Sequence, residues 1–329
     1  MFKPFCHPER SEGSYVFAYI EMKQEKTYYM EGKTMADAYL YGMVMATNSF
    51  MVKGDFLEAD SYSELSEKHR LPGGATGSCA TILAGLGVDV KIDGNHIGKN
   101  VAPLIRKFYE DRNVDISSLC FDLNYEGLED YVVIGAGATA SFGTTSAFHQ
   151  NGEKRWNIPK EGDVAGCKVA AIDPFFEDGT EAAAELCNFY GKPYVTIDCR
   201  HDEYVFRHAA VTIISSNGLK KKYPGKTPEE AYNLLTENGE GLVIMTAGDN
   251  IIYGRRGGEM NTRIPFTVDP VCTVNADEAF KAGCVYGLLK GMTDDELVCF
   301  AAACAAVAVT KFPVALYPPK LEEITALEK

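Results

Sequence analysis

Four short apolar runs, Lys168 to Asp173, Tyr194 to Asp198, Val211 to Ser215 and Leu242 to Thr246, dominate the middle of this 329-residue chain. Each is too short for a helix and rich in β-branched residues, so each predicts a buried strand. Helix signals stand between them. Thr180 to Tyr190 has helical composition and stops at Gly191, the position a C′ glycine takes. Thr227-Pro228-Glu229-Glu230 offers an N-cap Thr, Pro at the first helical position and acids in the first turn. Strands joined by helical crossovers make a parallel sheet covered on both faces. In such sheets ligands bind beyond the carboxyl ends of the strands.

The flanks extend this pattern. Tyr39 to Ala46 and Val88 to Ile92 read as further strands, Cys79 to Leu86 as a small-residue helix, and Gly98 to Asp111 as an amphipathic one. Thr293-Asp294-Asp295-Glu296 fits a capping box before an Ala-rich helix. Residues 48–70 and 119–148 do not fit the parallel sheet; the second is β-branched, aromatic and punctuated by Gly, and reads as hairpins. Together they predict a small separate sheet placed as a lid, with Trp156 beside it. Residues 1–34 lack this periodicity and read as an N-terminal extension, either disordered or adding Tyr15–Ile20 to a sheet edge. The domain proper is then 35–329.

A net charge of −14 argues against non-specific binding to nucleic acid or an acidic membrane. The ten cysteines include no C-x-x-C pair and no zinc-ligand spacing with His, which fits reduced thiols in the cytoplasm. Leu297 to Val309, the longest nearly uncharged apolar stretch, is too short to span a bilayer.

The densest site signal is Cys272-Thr273-Val274-Asn275-Ala276-Asp277-Glu278-Ala279-Phe280, where small and polar residues open a helix. Free N–H groups at a helix start form an anion site. Acids there equally serve as ordinary caps, which by composition alone is the commoner arrangement.

The order of these features resembles the ribokinase-like (PfkB-type) carbohydrate kinases from Tyr39 to Leu327. The family's Gly-Gly turn is similar to Gly73-Gly74-Ala75-Thr76-Gly77-Ser78, and a second glycine turn to Asp93–Gly98. An Asp-x-x-Arg segment resembles Asp198–Arg200 with its preceding Ile197, and a Thr-x-Gly strand end matches Thr246-Ala247-Gly248. The signature Asp-Thr-x-Gly-Ala-Gly-Asp-x-Phe aligns without gaps on Cys272 to Phe280. The resemblance implies a three-layer α/β/α sandwich with a mostly parallel sheet and a β lid. It implies phosphoryl transfer from ATP, with Mg²⁺ and with a monovalent cation left open, to a hydroxymethyl group of a sugar or sugar-like molecule. It implies homodimers paired through the lid. Glu278 then falls on the base, with Asp277 the base in a shifted alignment, and Asn275 to Glu278, Ala276 included, on the anion-binding backbone. Substrate contacts fall on Thr47, Asn48, Gly73, Gly74, Ser78 and Asn95. Nucleotide contacts fall on Asn217, Lys220, Thr246 and Gly248. No metal ligands are assigned.

The departures bear on activity. Glu in place of Asp moves the carboxylate by about 1 Å, a displacement that can cost about 100-fold in rate. Asn275 and Asp277 stand where the family has glycine, and Asp277 brings negative charge to a phosphate site. Thr47 or Asn48 replaces a sugar-binding Asp, Ser78 an Asn, Lys220 an acid, and Cys272 the first Asp of the signature, for which Asp269 is a nearby substitute. These changes leave two alternatives: a kinase-fold protein that binds a ligand or partner without turnover, and a nucleoside kinase. His96, Arg200, Arg263 and the Arg255-Arg256 hairpin tip are read as ordinary surface or turn residues.

Overall fold

The structure is a computed structural model that describes residues 36–56, 60–136, 138–145, 153–247 and 249–329. The predicted N-terminal extension lies outside the described residues. In chain order the strands are β1 (Ala38–Gly42), β2 (Met45–Asp55), β3 (Leu65–Gly73), β4 (Val90–Gly94), β5 (Ile97–Gly98), β6 (Val114–Asp115), β7 (Phe121–Asp122), β8 (Glu129–Ala136), β9 (Ala138–Gly143), β10 (Val169–Ile172), β11 (Tyr194–Ile197), β12 (Val211–Ser215), β13 (Leu242–Ala247), β14 (Asn250–Gly254) and β15 (Asn261–Arg263). The helices are α1 (Gly74–Gly85), α2 (Ala102–Tyr109), α3 (Glu161–Gly166), α4 (Glu177–Phe189), α5 (Tyr204–Arg207), α6 (Ser216–Lys222), α7 (Pro228–Asn238), α8 (Ala276–Lys290), α9 (Asp294–Val309) and α10 (Leu321–Leu327).

The large sheet has the order β15-β14-β13-β12-β11-β10-β1-β4-β6. It is parallel from β6 to β13, and β14 and β15 close it as an antiparallel edge. Alternate residues of each strand feed two separate cores, as a sheet covered on both faces requires. Leu40, Ile92, Ala171, Val195, Ile213 and Ile244 pack with Ile82 and Leu83 of α1, Val285 of α8 and Ala301 of α9. Tyr39, Tyr41, Ile172, Tyr194, Val243 and Met245 pack with Ala183 and Cys187 of α4 and Leu235 of α7. This is the three-layer sandwich.

A second sheet of order β3-β2-β8-β9 stands apart from the first. On one of its faces Val132 and Ile134 close over Cys272, Val274 and Phe312. As expected for the 48–70 and 119–148 segments, β2 and β3 pair antiparallel in this small sheet, and β8 joins β2 in parallel.

Three expectations shift. The single strand predicted over Tyr39–Ala46 is two, broken at Met43 and Val44, because the Asn95 side chain takes both Val44 backbone groups: its Oδ1 accepts Val44 N–H at 2.7 Å and its Nδ2 donates to Val44 C=O at 2.9 Å. Helix α1 begins at Gly74, five residues before the predicted start. Trp156 stacks on Phe176 at 5.6 Å, and its ring N–H donates to Asp178, so it belongs to the core beside α4.

Candidate active site

Helix α8 starts from a backbone twist. Asn275, its N-cap, has φ 70° and ψ 13°, the left-handed region that Gly and then Asn tolerate best. Its side chain does not cap the helix; Oδ1 instead accepts the Ser78 hydroxyl at 2.9 Å. Ala276 N–H donates to Thr273 C=O at 3.3 Å. Both acids of the first turn are partly covered. Burial, then the Asp198 charge, raises the Asp277 carboxyl above the usual carboxylate range. Burial pushes the Glu278 carboxyl up to about 7, against the lowering effects of the Lys281 ammonium and of Glu278's own N–H, which its carboxylate accepts.

Lys281 sits one turn further along and is only 1 % exposed. Its Nζ donates to Asp173 Oδ1 at 2.5 Å and to Ala75 C=O at 3.2 Å. Asp173, 0 % exposed, follows β10 and also accepts the Thr76 hydroxyl at 2.7 Å. Gly42 makes room for this cluster at the end of β1, because a Cβ there would stand 2.2 Å from Asp173 Oδ2 and 2.4 Å from Thr76 Oγ1. Neither Lys281 nor Asp173 is singled out by the sequence pattern. The available signal was a lone charged residue within the run Ala279 to Leu289 of α8.

A narrow cavity opens between the small sheet, α1, the start of α8 and the 311–315 segment, lined by Thr47, Ser49, Gly73, Ser78, Ile134 and Asn275 among others. Strand alternation separates two of the expected contacts: Thr47 faces this cavity, whereas Asn48 donates to Glu129 Oε2 and to Asp130 C=O. Gly73 is required by contact, since a Cβ would meet Thr47 Oγ1 at 1.8 Å, and Gly74 by its φ of 80°. Asn95 departs from the expectation of a substrate contact. It is 0 % exposed, and its amide is committed to Val44 and to His96 C=O. Asp130 was not foreseen. It is register partner to Thr47, whose hydroxyl bonds it, and burial raises its carboxyl. Its Oδ1 is buried with no partner among the described residues.

A more open shelf lies at the carboxyl ends of β12 and β13. Ser215 caps α6 by accepting Gly218 N–H at 2.9 Å. Asp198, at φ 52°, holds Ser215 through its N–H and hydroxyl, both at 2.8 Å. Asn217 and Lys220 are exposed there, and Ser216 Oγ donates to Thr246 C=O at 2.5 Å. Gly248 lies outside the described residues. Arg200 is paired with Asp202 and Arg255 with Asp294. Among the described residues no group of three His, Cys, Asp or Glu side chains could hold a metal ion by itself.

The family model for pfkB family carbohydrate kinases matches residues 35–320, which contain every element of both sheets. The chain belongs to the pfkB family of carbohydrate kinases. Solved structures agree on the fold. The Arabidopsis thaliana ribokinase, complexed with ribose and ATP, superposes with a TM-score of 0.74 at 15% identity, over 90% of this chain and 99% of that one. The Thermotoga maritima ribokinase gives 0.71 at 18% identity, over 89% and 99%. The Methanocaldococcus jannaschii nucleoside kinase gives 0.69 at 13% identity, over 90% and 99%. No curated protein sequence matches the chain. Membership of this family implies sugar or nucleoside kinase activity, and no helix among the described residues is long and apolar enough to cross a membrane. At Asn275, one of the two departures from the family's glycines, the backbone keeps the left-handed twist that glycine adopts most readily.

Proposed function

We propose that the chain transfers the terminal phosphoryl group of ATP to a hydroxymethyl group of a sugar or sugar-like molecule seated in the cavity between the small sheet and the start of α8. One observation carries this reading: a carboxyl pushed up to about 7 sits in the first turn of α8, a helix start that no side chain caps. A base is most useful when its pKa lies near the working pH. Glu278 accepts the hydroxyl proton of the acceptor as it attacks. The amides of Asn275 and Asp277 face the charge that develops on the transferring group, while that of Ala276 is engaged by Thr273 C=O. Thr47, Gly73, Gly74 and Ser78 shape the acceptor site, with the unpartnered Asp130 oxygen as an acceptor for a substrate hydroxyl. Asn217, Lys220, Thr246 and Gly248 form the nucleotide side.

Mg²⁺ would arrive on the phosphates and neutralise their charge. Cytoplasmic location is assigned from the cysteine usage. Homodimerisation is assigned to the small sheet, whose edge strand β9 is exposed along its whole length and open to strand addition.

A second reading has its own observation: the Glu278 carboxylate accepts its own N–H, so base and anion site partly satisfy one another. In this reading the protein binds ligands without turnover. Calorimetry with ATP and Mg²⁺, followed by an ADP-release screen over sugars and nucleosides, separates the two. ADP release that depends on one acceptor class supports the kinase. Absence of ADP release for any acceptor, or of nucleotide binding at millimolar ATP, removes the kinase and supports the binding protein.

A further inference from the structure

The buried pair Lys281–Asp173 needs a reason. Replacing a buried ion pair with well-packed apolar residues is often neutral or stabilising, so the pair is not explained by stability. The surrounding face of α8, with Ala279, Ala282 and Cys284 all 0 % exposed, would accept an apolar side chain at this position. What an apolar side chain lacks is a fixed charge and three directed N–H groups. Two of those groups reach different elements: Asp173 after β10, and the Ala75 carbonyl in the turn that begins with Gly73 and Gly74. Thr76 in that same turn binds the other Asp173 oxygen. The helix that carries Glu278 is thereby tied to the turn that shapes the acceptor cavity. Glu278 is three residues before Lys281, on the same helix face.

We propose that Lys281 is a positioning residue: its ammonium holds the Glu278 helix against the acceptor turn and presents a fixed positive charge to the Glu278 carboxylate. The proposal rests on Glu278 being the base. The other groups acting on Glu278 are Asp277 on its own helix, Asp173 after β10 and the Cys79 thiol of α1, which is held un-ionised by burial. Both carboxylates oppose ionisation of Glu278; Lys281 favours it.

The test uses the full chain with Lys281→Met and, because that change strands the Asp173 charge, the double variant D173N/K281M, in which the pair is neutral. Two readouts are taken. The first is the pH–rate profile with the best acceptor. Its acidic midpoint is expected to move to higher pH, by roughly one unit (a tenfold change in proton affinity) in Lys281→Met and by less in the double variant, which also removes the opposing Asp173 charge. The second needs no turnover: the pH dependence of the melting temperature of each protein is compared with that of the same protein carrying Glu278→Gln, which isolates the Glu278 titration. The same upward shift is expected there. A midpoint unchanged in both readouts overturns the proposal, even if the variants are slow. Absence of turnover in the unmodified chain with a shift in the melting readout would sink the kinase reading and leave the electrostatic role of Lys281 standing.

Discussion

Among the described residues four helices, α7, α8, α9 and α10, carry a Glu at the third helical position, and α8 differs from the other three. In α7 and α10's neighbour α9, an extended Thr N-cap accepts the N–H of that Glu, and the Glu carboxylate accepts the N–H of the Thr: Thr227 with Glu230, and Thr293 with Glu296. Both carboxyls are held below the ordinary Glu value, first by that backbone N–H. In α8 the N-cap is a left-handed Asn275, there is no reciprocal box, and burial raises Glu278 instead. The same residue at the same helical position is a cap where the first turn faces solvent and a poised acid where it is covered. The N-cap conformation and the depth of the turn decide, not the composition.

The sharpest way to break this contrast is to remove the two acids in parallel. Glu278→Gln is expected to lower turnover by at least about 100-fold, the scale of a general base, whereas Glu296→Gln leaves kcat within about twofold, since it alters only a cap. Steady-state ADP release on each variant checks this. In the unmodified chain the rate should climb as pH rises through about 7, because only the ionised Glu278 accepts a proton.

Stability should move in opposite directions. Glu278 binds its proton more tightly in the folded chain than in the unfolded one. Its contribution is therefore complete below the ordinary Glu value and is lost as pH rises through about 7. Glu278→Gln escapes that loss. It is expected to gain on the order of 2–3 kcal/mol over the unmodified chain at pH 8 and almost nothing at pH 4, by denaturant titration. Glu296 has its contribution above the ordinary Glu value and loses it as pH falls through its depressed one. Glu296→Gln should therefore lower the melting temperature at pH 8, with the difference closing in acid.

Smaller effects test the caps themselves. Thr293→Ala should cost about 1 kcal/mol, the usual value of an N-cap hydroxyl. Asn275→Gly should change stability by less than about 1 kcal/mol: it relieves the left-handed backbone but loses the Ser78 bond and adds unfolded-chain entropy. An Asn275→Gly loss as large as that of Thr293→Ala would mean that the Asn side chain, and not the twist, shapes this helix start.

The architecture was largely legible in the sequence because its signals are local. Strand length, β-branched composition, the capping boxes at Thr227 and Thr293 and the glycine at 191 each sit within a few residues of the structure they specify. The candidate site was legible only in part. Glu278 and Asn275 were found because they lie in one contiguous segment. Asp173, Thr76 and Gly42 converge on Lys281 from three other segments, and no local pattern announces such a meeting. Asn95 was misassigned for a related reason: a polar residue in a glycine turn looks available until the backbone it binds, more than fifty positions earlier, is known. Thr47 and Asn48 could be separated only once strand register fixed which of them faces the cavity.

The hold of Asn95 on Val44 bears on motion. With both the N–H and the C=O of one residue pinned by a single side chain, that residue cannot translate, yet the chain on either side can still swivel. Val44 is also the last residue before β2 begins. Tilting of the small sheet over the cavity would thus act as a crank about this fixed point: Gly73, paired with Met45 beside the pivot, would barely move, and the stroke would be delivered at the other end of the hairpin, near Asp55 and Leu65.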